Sequence, residues 1–147
     1  MTPRGIIWDE QMKLTITKRT HFAAGHRLYN PEFSDEENLA IFGPCSNPHG
    51  HGHNYTLEIT VTGELDPKTG MIMNLKDLSK IVSEHIISKC DHRNFNVDVE
   101  FTRGIIPTAE NLARRIFEVL ESRLPAGTLT RVKLFETENN IAIAERE

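Results

Sequence analysis

Leu14 and Ile16 alternate with Thr15 and Thr17, and the same parity returns at Phe22, Ala24 and His26. A period of two predicts an extended strand with one face against a core. A second alternation is clearer. Tyr55, Leu57, Ile59 and Val61 interleave with Thr56, Glu58, Thr60 and Thr62, which predicts a strand with one buried and one wetter face. Between the two, residues 27–50 carry Asn30-Pro31, Ser34-Asp35-Glu36-Glu37, Gly43-Pro44 and Asn47-Pro48. That polar, turn-rich run reads as a long loop, and loops of such length in small domains tend to be functional. Asp66-Pro67-Lys68-Thr69-Gly70 is a turn. The period then becomes helical. Asn74 is the expected N-cap of a helix reaching about Lys89, with Leu75, Leu78, Val82, His85 and Ile86 on one face. Pro107-Thr108 opens a second helix, apolar at Leu112, Ala113, Ile116, Val119, Leu120 and Leu124 and stopped near Pro125 and Gly127. Strands at about 129–136 and 140–145 close the chain.

The order ββααββ predicts an α+β fold: a four-stranded antiparallel sheet with two helices on one face. Such a sheet has open edges, so a homo-oligomer that pairs them is expected. The length of 147 residues is one domain's worth. Residues 13–147 read as a single domain, and residues 1–12 as an N-terminal extension with no assigned role.

Composition narrows the function. Seventeen Lys and Arg stand against 21 Asp and Glu, a net charge of −4, which argues against a generic nucleic-acid binder. Two cysteines are too few for a disulfide scaffold. Met1 to Gln11 lacks the features of a signal peptide and no apolar run could span a membrane, so cytoplasmic residence is expected.

What changes the picture is histidine. There are seven, and four lie within residues 26–53. His51 and His53 are two apart at the start of a strand, so their rings project to one face beside Tyr55. His26 ends the first strand in the parity of its apolar row. If the two strands pair, the three imidazoles meet at one end of the sheet. Three imidazoles with an open fourth position form the ligand set of a catalytic zinc site; the competing reading of His51-Gly52-His53 is a plain loop tip. His21 and His85 read as structural, as does Cys90. Cys45 lies in a turn-rich segment, where a thiol can be a ligand, a proton carrier or a nucleophile. Asp91-His92 follows a helix directly, and a carboxylate can orient an imidazole for acid–base work; a surface pair is the alternative. Glu136 continues the apolar row of Val132 and Leu134. A carboxylate there needs a partner, and a flat ligand edge with two adjacent N–H donors would supply one; otherwise the strand frays before it.

These residues sit in motifs that resemble the 6-pyruvoyl-tetrahydropterin synthase family. The motifs are Ala24-Gly25-His26-Arg27-Leu28, SDEENLAIFGPCSNPHGHGHNY (34–55), TGMIMNLKDL (69–78), Asp91-His92-Arg93-Asn94, PTAEN (107–111) and ETENN (136–140). They occur in the family's order over nearly all of residues 13–147. The resemblance implies a tunnelling fold (T-fold), in which trimers form a barrel and two trimers stack into a homohexamer. It implies zinc held by His26, His51 and His53, and Cys45 as proton acceptor with Asp91 and His92 as its relay. It implies Glu136 as the pterin anchor, with Thr108 and Glu110 lining the pterin pocket and active sites shared between subunits. The implied substrate is 7,8-dihydroneopterin triphosphate, which loses triphosphate while its side chain rearranges to a diketone without net redox change. Magnesium could accompany the triphosphate, for which Lys18, Arg19, Arg27 and Arg93 are the candidate partners.

One position opens an alternative. His49 gives Cys45-x3-His49-Gly50-His51 beside Cys45-x5-His51-Gly52-His53. The shorter spacing resembles the related 6-carboxy-tetrahydropterin synthase of queuosine biosynthesis. The longer one, followed by Asn54-Tyr55, resembles the pyruvoyl enzyme and is the spacing adopted. A third reading is a non-catalytic zinc- or pterin-binding protein on the same fold, against which the set of Cys45, Asp91 and His92 argues.

Overall fold

In a computed structural model, which describes residues 5–146, the two long alternating segments form the centre of the sheet. Strands β1 (Thr15–His26) and β2 (His51–Thr62) pair antiparallel over their whole length, from Thr15 opposite Thr62 to His26 opposite His51. Strand β4 (Leu129–Phe135) pairs antiparallel with β2, and β5 (Ile141–Glu145) pairs with β4 at the edge. Residues 1–4 of the expected extension and residue 147 lie outside the described residues.

The alternation does what its period requires. Phe22, Ala24, Tyr55, Leu57, Ile59, Val61, Val132 and Leu134 are all buried on one face. Two helices cover them. Helix α2 (Leu75–Val82) starts at Asn74, whose side chain accepts the Lys76 N–H, and buries Leu78 and Val82. It runs on through a π-helical turn, Ser83–Ile87, into α3 (Ser88–Cys90). Positions four apart drift round an α-helix by about 40° per step. The wide turn takes back part of that drift, so Leu78, Val82, Ile86 and Cys90 all reach the core. Helix α4 (Ala109–Glu121) buries Leu112, Ala113, Ile116, Phe117 and Leu120. Full burial of each large aliphatic side chain contributes at most about 1.5–3 kcal/mol, so this layer dominates the stability of the domain.

The opposite sheet face carries polar pairs. Thr17 and Thr60 hydroxyls meet at 2.8 Å, and Arg19 pairs with Glu58 at 2.6 Å. No helix among the described residues is long and apolar enough to cross a membrane.

Two expectations need correction. The sheet has five strands, in the order β3-β1-β2-β4-β5, and is mixed. The extra strand, β3 (Arg93–Asn94), runs parallel to Ala24 and Gly25 of β1. Two residues are too few to show a period, and β3 exists only because the chain leaving α3 is laid along β1. Residues 27–50 are also not a bare loop. They contain α1 (Asp35–Phe42) and a 3-10 turn, Gly43–Ser46. Ser34 and Glu37 form a reciprocal capping box, and Asp35, Glu36 and Glu37 place negative charge at the helix N-terminus. Leu39 and Ile41 stay exposed, so α1 has no apolar stripe to reveal it. It is fixed instead through buried Asn38. The Asn38 side chain accepts the Asn30 N–H and donates to the Asn30 and Ser34 carbonyls.

Candidate active site

The register of β1 and β2 assembles the histidines. His26 faces His51 across the ladder, and Ala24 faces His53. With His51 and His53 two apart on one strand, all three rings share the inner face. The His26 and His51 Nε2 atoms are 3.2 Å apart, and those of His51 and His53 are 3.1 Å apart. Gly50 makes the entry to β2 possible. Its φ is 69°, and a Cβ there would come within 2.7 Å of the His26 carbonyl oxygen.

The donor set fits a cation. His26 Nδ1 lies 2.8 Å from the Pro107 carbonyl, which fixes the proton on Nδ1 and leaves the Nε2 lone pair free. One N–H can serve only one of the close nitrogen pairs, so mutual hydrogen bonding cannot satisfy all three rings. In a tetrahedral zinc site with Zn–N near 2.05 Å, ligand nitrogens lie about 3.3 Å apart. Burial pushes the His26 and His53 imidazoles below their ordinary pKa, against the opposing pull of Glu136. Both rings are thereby kept neutral, the form that binds metal. Tyr55, stacked on Phe22 at 5.0 Å, packs edge-on to His26 and His53 from below. Burial raises the pKa of its hydroxyl, which stays protonated.

Glu136 lies one residue beyond β4, yet it is not frayed. Its N–H donates to the Asn140 carbonyl at 3.0 Å. Its carboxylate sits 3.9 Å from His53 Nε2 with the side chain only 19% exposed. The apolar row of β4 thus ends on a carboxylate beside the imidazoles.

Cys45 is half-buried in the 3-10 turn. Its carbonyl accepts the Leu28 N–H at 2.8 Å, two residues past His26. Among the described residues, the group of ligand atoms close enough to share a metal contains no thiol and no His49. His49 is exposed, with its N–H bonded to the Asn47 side chain.

Asp91 and His92 lie where the helix breaks, at the edge of β1. Asp91 Oδ1 accepts the Ala23 N–H at 2.9 Å, and the His92 N–H donates to the Ala23 carbonyl at 2.6 Å. His92 has a left-handed φ of 61°, which turns its Nδ1 to within 3.0 Å of Asp91 Oδ2. The Ala23 hydrogen bond, and then His92, hold the Asp91 carboxyl below the usual range. The His92 ring is 84% exposed. It borders an open hollow of about 410 Å³ that Gly25, Gly52 and His53 also line.

Thr108 caps α4, its hydroxyl accepting the Asn111 N–H at 3.2 Å, while Glu110 in the first turn is exposed. Sequence reasoning missed Pro107. Its carbonyl orients His26 across 81 positions of chain, and only its place at a helix start could have pointed to it. Cys90 is fully buried, and burial, with Asp91 adding, pushes its thiol up to about 12, so it stays inert.

Known proteins resemble this chain over most of its length. The family model for 6-pyruvoyl tetrahydropterin synthase matches residues 15–147. The chain is 50% identical over 132 residues to the 6-pyruvoyl tetrahydrobiopterin synthase of Pongo abelii, covering 90% of this chain and 91% of that one. Identity to the human 6-pyruvoyl tetrahydrobiopterin synthase is 48% with the same coverage. The solved structure of Caenorhabditis elegans 6-pyruvoyl tetrahydropterin synthase superposes with a TM-score of 0.87 at 38% identity, over 92% of this chain and 97% of that one. Matches this long and this close leave no part of the sheet or of the histidine cluster outside the shared region, and the chain belongs to the 6-pyruvoyl tetrahydropterin synthase family of enzymes.

Proposed function

We propose that the chain converts 7,8-dihydroneopterin triphosphate to 6-pyruvoyl-tetrahydropterin with loss of triphosphate, using zinc held by His26, His51 and His53. The observation that carries this reading is the convergence of three imidazole Nε2 atoms beside Glu136. Zinc held there would supply Lewis-acid chemistry that eases loss of protons from the substrate side chain.

The protein's own groups do the rest. Cys45 takes protons from the side chain and returns them, and Asp91 orients His92 as the relay that resets the thiol. Glu136 accepts two N–H groups from the guanidine-like edge of the pterin, in a pocket bordered by Thr108 and Glu110. The triphosphate needs cations that are not already committed. Arg19 is paired with Glu58 and Arg27 directs Nε at the Ser46 carbonyl, which favours Lys18 and Arg93, with magnesium as a companion ion. Residues 13–147 act as one synthase domain in a cytoplasmic homohexamer with active sites between subunits. Two features support the assembly. The His92 ring is turned outward, and the edge strand β5 exposes Ile141 and Ile143.

The test is product analysis with purified, zinc-loaded, reduced enzyme. Released triphosphate and a pyruvoyl pterin are expected. A carboxylate with acetaldehyde would instead establish the 6-carboxy reaction, and no turnover would leave a binding protein.

A further inference from the structure

The segment after Asp91-His92 runs alongside the end of β1. Main-chain bonds hold it as far as Phe95, whose N–H donates to the Gly25 carbonyl at 2.9 Å. One step on, a side chain takes over the ladder. Asn96 Oδ1 accepts the Arg27 N–H at 2.7 Å, and Asn96 Nδ2 donates to the Arg27 carbonyl at 2.9 Å. A carboxamide offers the same acceptor and donor as a peptide group, so Asn96 pairs with Arg27 as another strand would. Its own N–H is tied to Asn94 Oδ1 at 2.8 Å.

Arg27 is also the joint between His26 and the Cys45 turn. Its guanidinium lies 3.8 Å from the centre of the Tyr29 ring, and its Nε donates to the Ser46 carbonyl at 2.8 Å. The next residue, Leu28, donates its N–H to the carbonyl of Cys45 itself. One amide therefore ties the Asp91-His92 segment to the end of the histidine strand, and Arg27 and Leu28 tie that strand end to the thiol-bearing turn. Hydrogen bonds of this kind are individually modest, but a catalytic group displaced by a fraction of an ångström loses rate steeply.

We propose that Asn96 is a positioning residue, which through Arg27 fixes the Cys45 turn relative to His26 and to the Asp91-His92 segment. The kinetic consequence rests on the reading of Cys45 as proton carrier; the mechanical one does not.

The test uses the full-length, metal-loaded protein and two readouts: steady-state kinetics, and iodoacetamide labelling of Cys45 followed by mass spectrometry of its peptide. Asn96→Ala is expected to lower kcat roughly tenfold with KM little changed, to keep its metal, and to label Cys45 about fivefold faster. Asn96→Asp keeps the acceptor for the Arg27 N–H and is expected to recover part of both effects. Arg27→Lys keeps the main-chain pairing but loses the guanidinium stacked on Tyr29 and its Nε bond to the Ser46 carbonyl. It should also label faster, because the turn is held through Arg27, and Asn96→Asp serves as the test if Asn96→Ala does not fold. Labelling and kcat within twofold of the parent overturn the proposal. So does a kcat loss matched by an equal loss of metal, which would mean that the site itself had collapsed. If the parent protein turns over no pterin triphosphate while the labelling changes appear, the proposed reaction falls and the positioning role stands.

Discussion

His26 and His92 are imidazoles at the same end of one sheet, held in opposite ways. His26 is 1% exposed, ringed by His51, His53 and Tyr55 and oriented by the Pro107 carbonyl. The His92 ring is 84% exposed, its backbone anchored to Ala23 and its Nδ1 to Asp91. The difference teaches that the three-histidine cluster is a product of folding. The Asp91-His92 pair is presented at the surface, joined by the 3.0 Å contact between Asp91 Oδ2 and His92 Nδ1.

The largest expected effect tests the closed half. His26→Ala removes a buried ring and strands the Pro107 carbonyl. It should abolish stoichiometric zinc and destabilise the metal-free fold by about 2–4 kcal/mol. Metal analysis and urea melts check this, and a variant that keeps zinc would break the contrast. His92→Ala comes next. It should lower kcat by roughly 10²–10⁴-fold, while zinc content and the melting midpoint stay at parental values. A stability loss comparable to that of His26→Ala would show that the exposed half is structural after all.

A smaller effect comes from Asp91. Its folded-state pKa lies below the reference value of 3.8. The stabilisation it provides is therefore fully present above about pH 5 and is lost as pH falls through the folded value. The protection factors of the Ala23 and His92 amides, corrected for intrinsic exchange, should fall only in that acidic window, and Asp91→Asn should remove the pH dependence. Smallest of all is His49→Ala, which should leave zinc stoichiometry unchanged, because His49 lies outside the converging group. Loss of zinc in that variant would move the ligand set by two residues.

Legibility in the sequence followed the physics of each element. The buried strand faces and both long helices were readable, because burial on one side imposes a period that survives in one dimension. The positions of His26, His51 and His53 were readable for the same reason, since each sits in the parity of its strand. Strand β3 was not, being two residues whose pairing is decided by where α3 ends. Helix α1 was signalled only by its capping box, because Leu39 and Ile41 face solvent. Glu136 was readable as a carboxylate in an apolar row, but its closeness to His53 needed the turn at Asn140.

The sequence by itself determined which residues face inward, that two strands could bring three imidazoles to one end, and that a thiol and an Asp-His pair accompany them. Tertiary structure decided the register that places His26 opposite His51, the Pro107 carbonyl that sets its tautomer, and the outward aim of His92. The reason is one of range. Side-chain parity and helical period are properties of neighbouring residues. Cross-strand register, by contrast, and hydrogen bonds such as that between His26 and Pro107 join residues far apart in the chain, and only packing the whole domain fixes them.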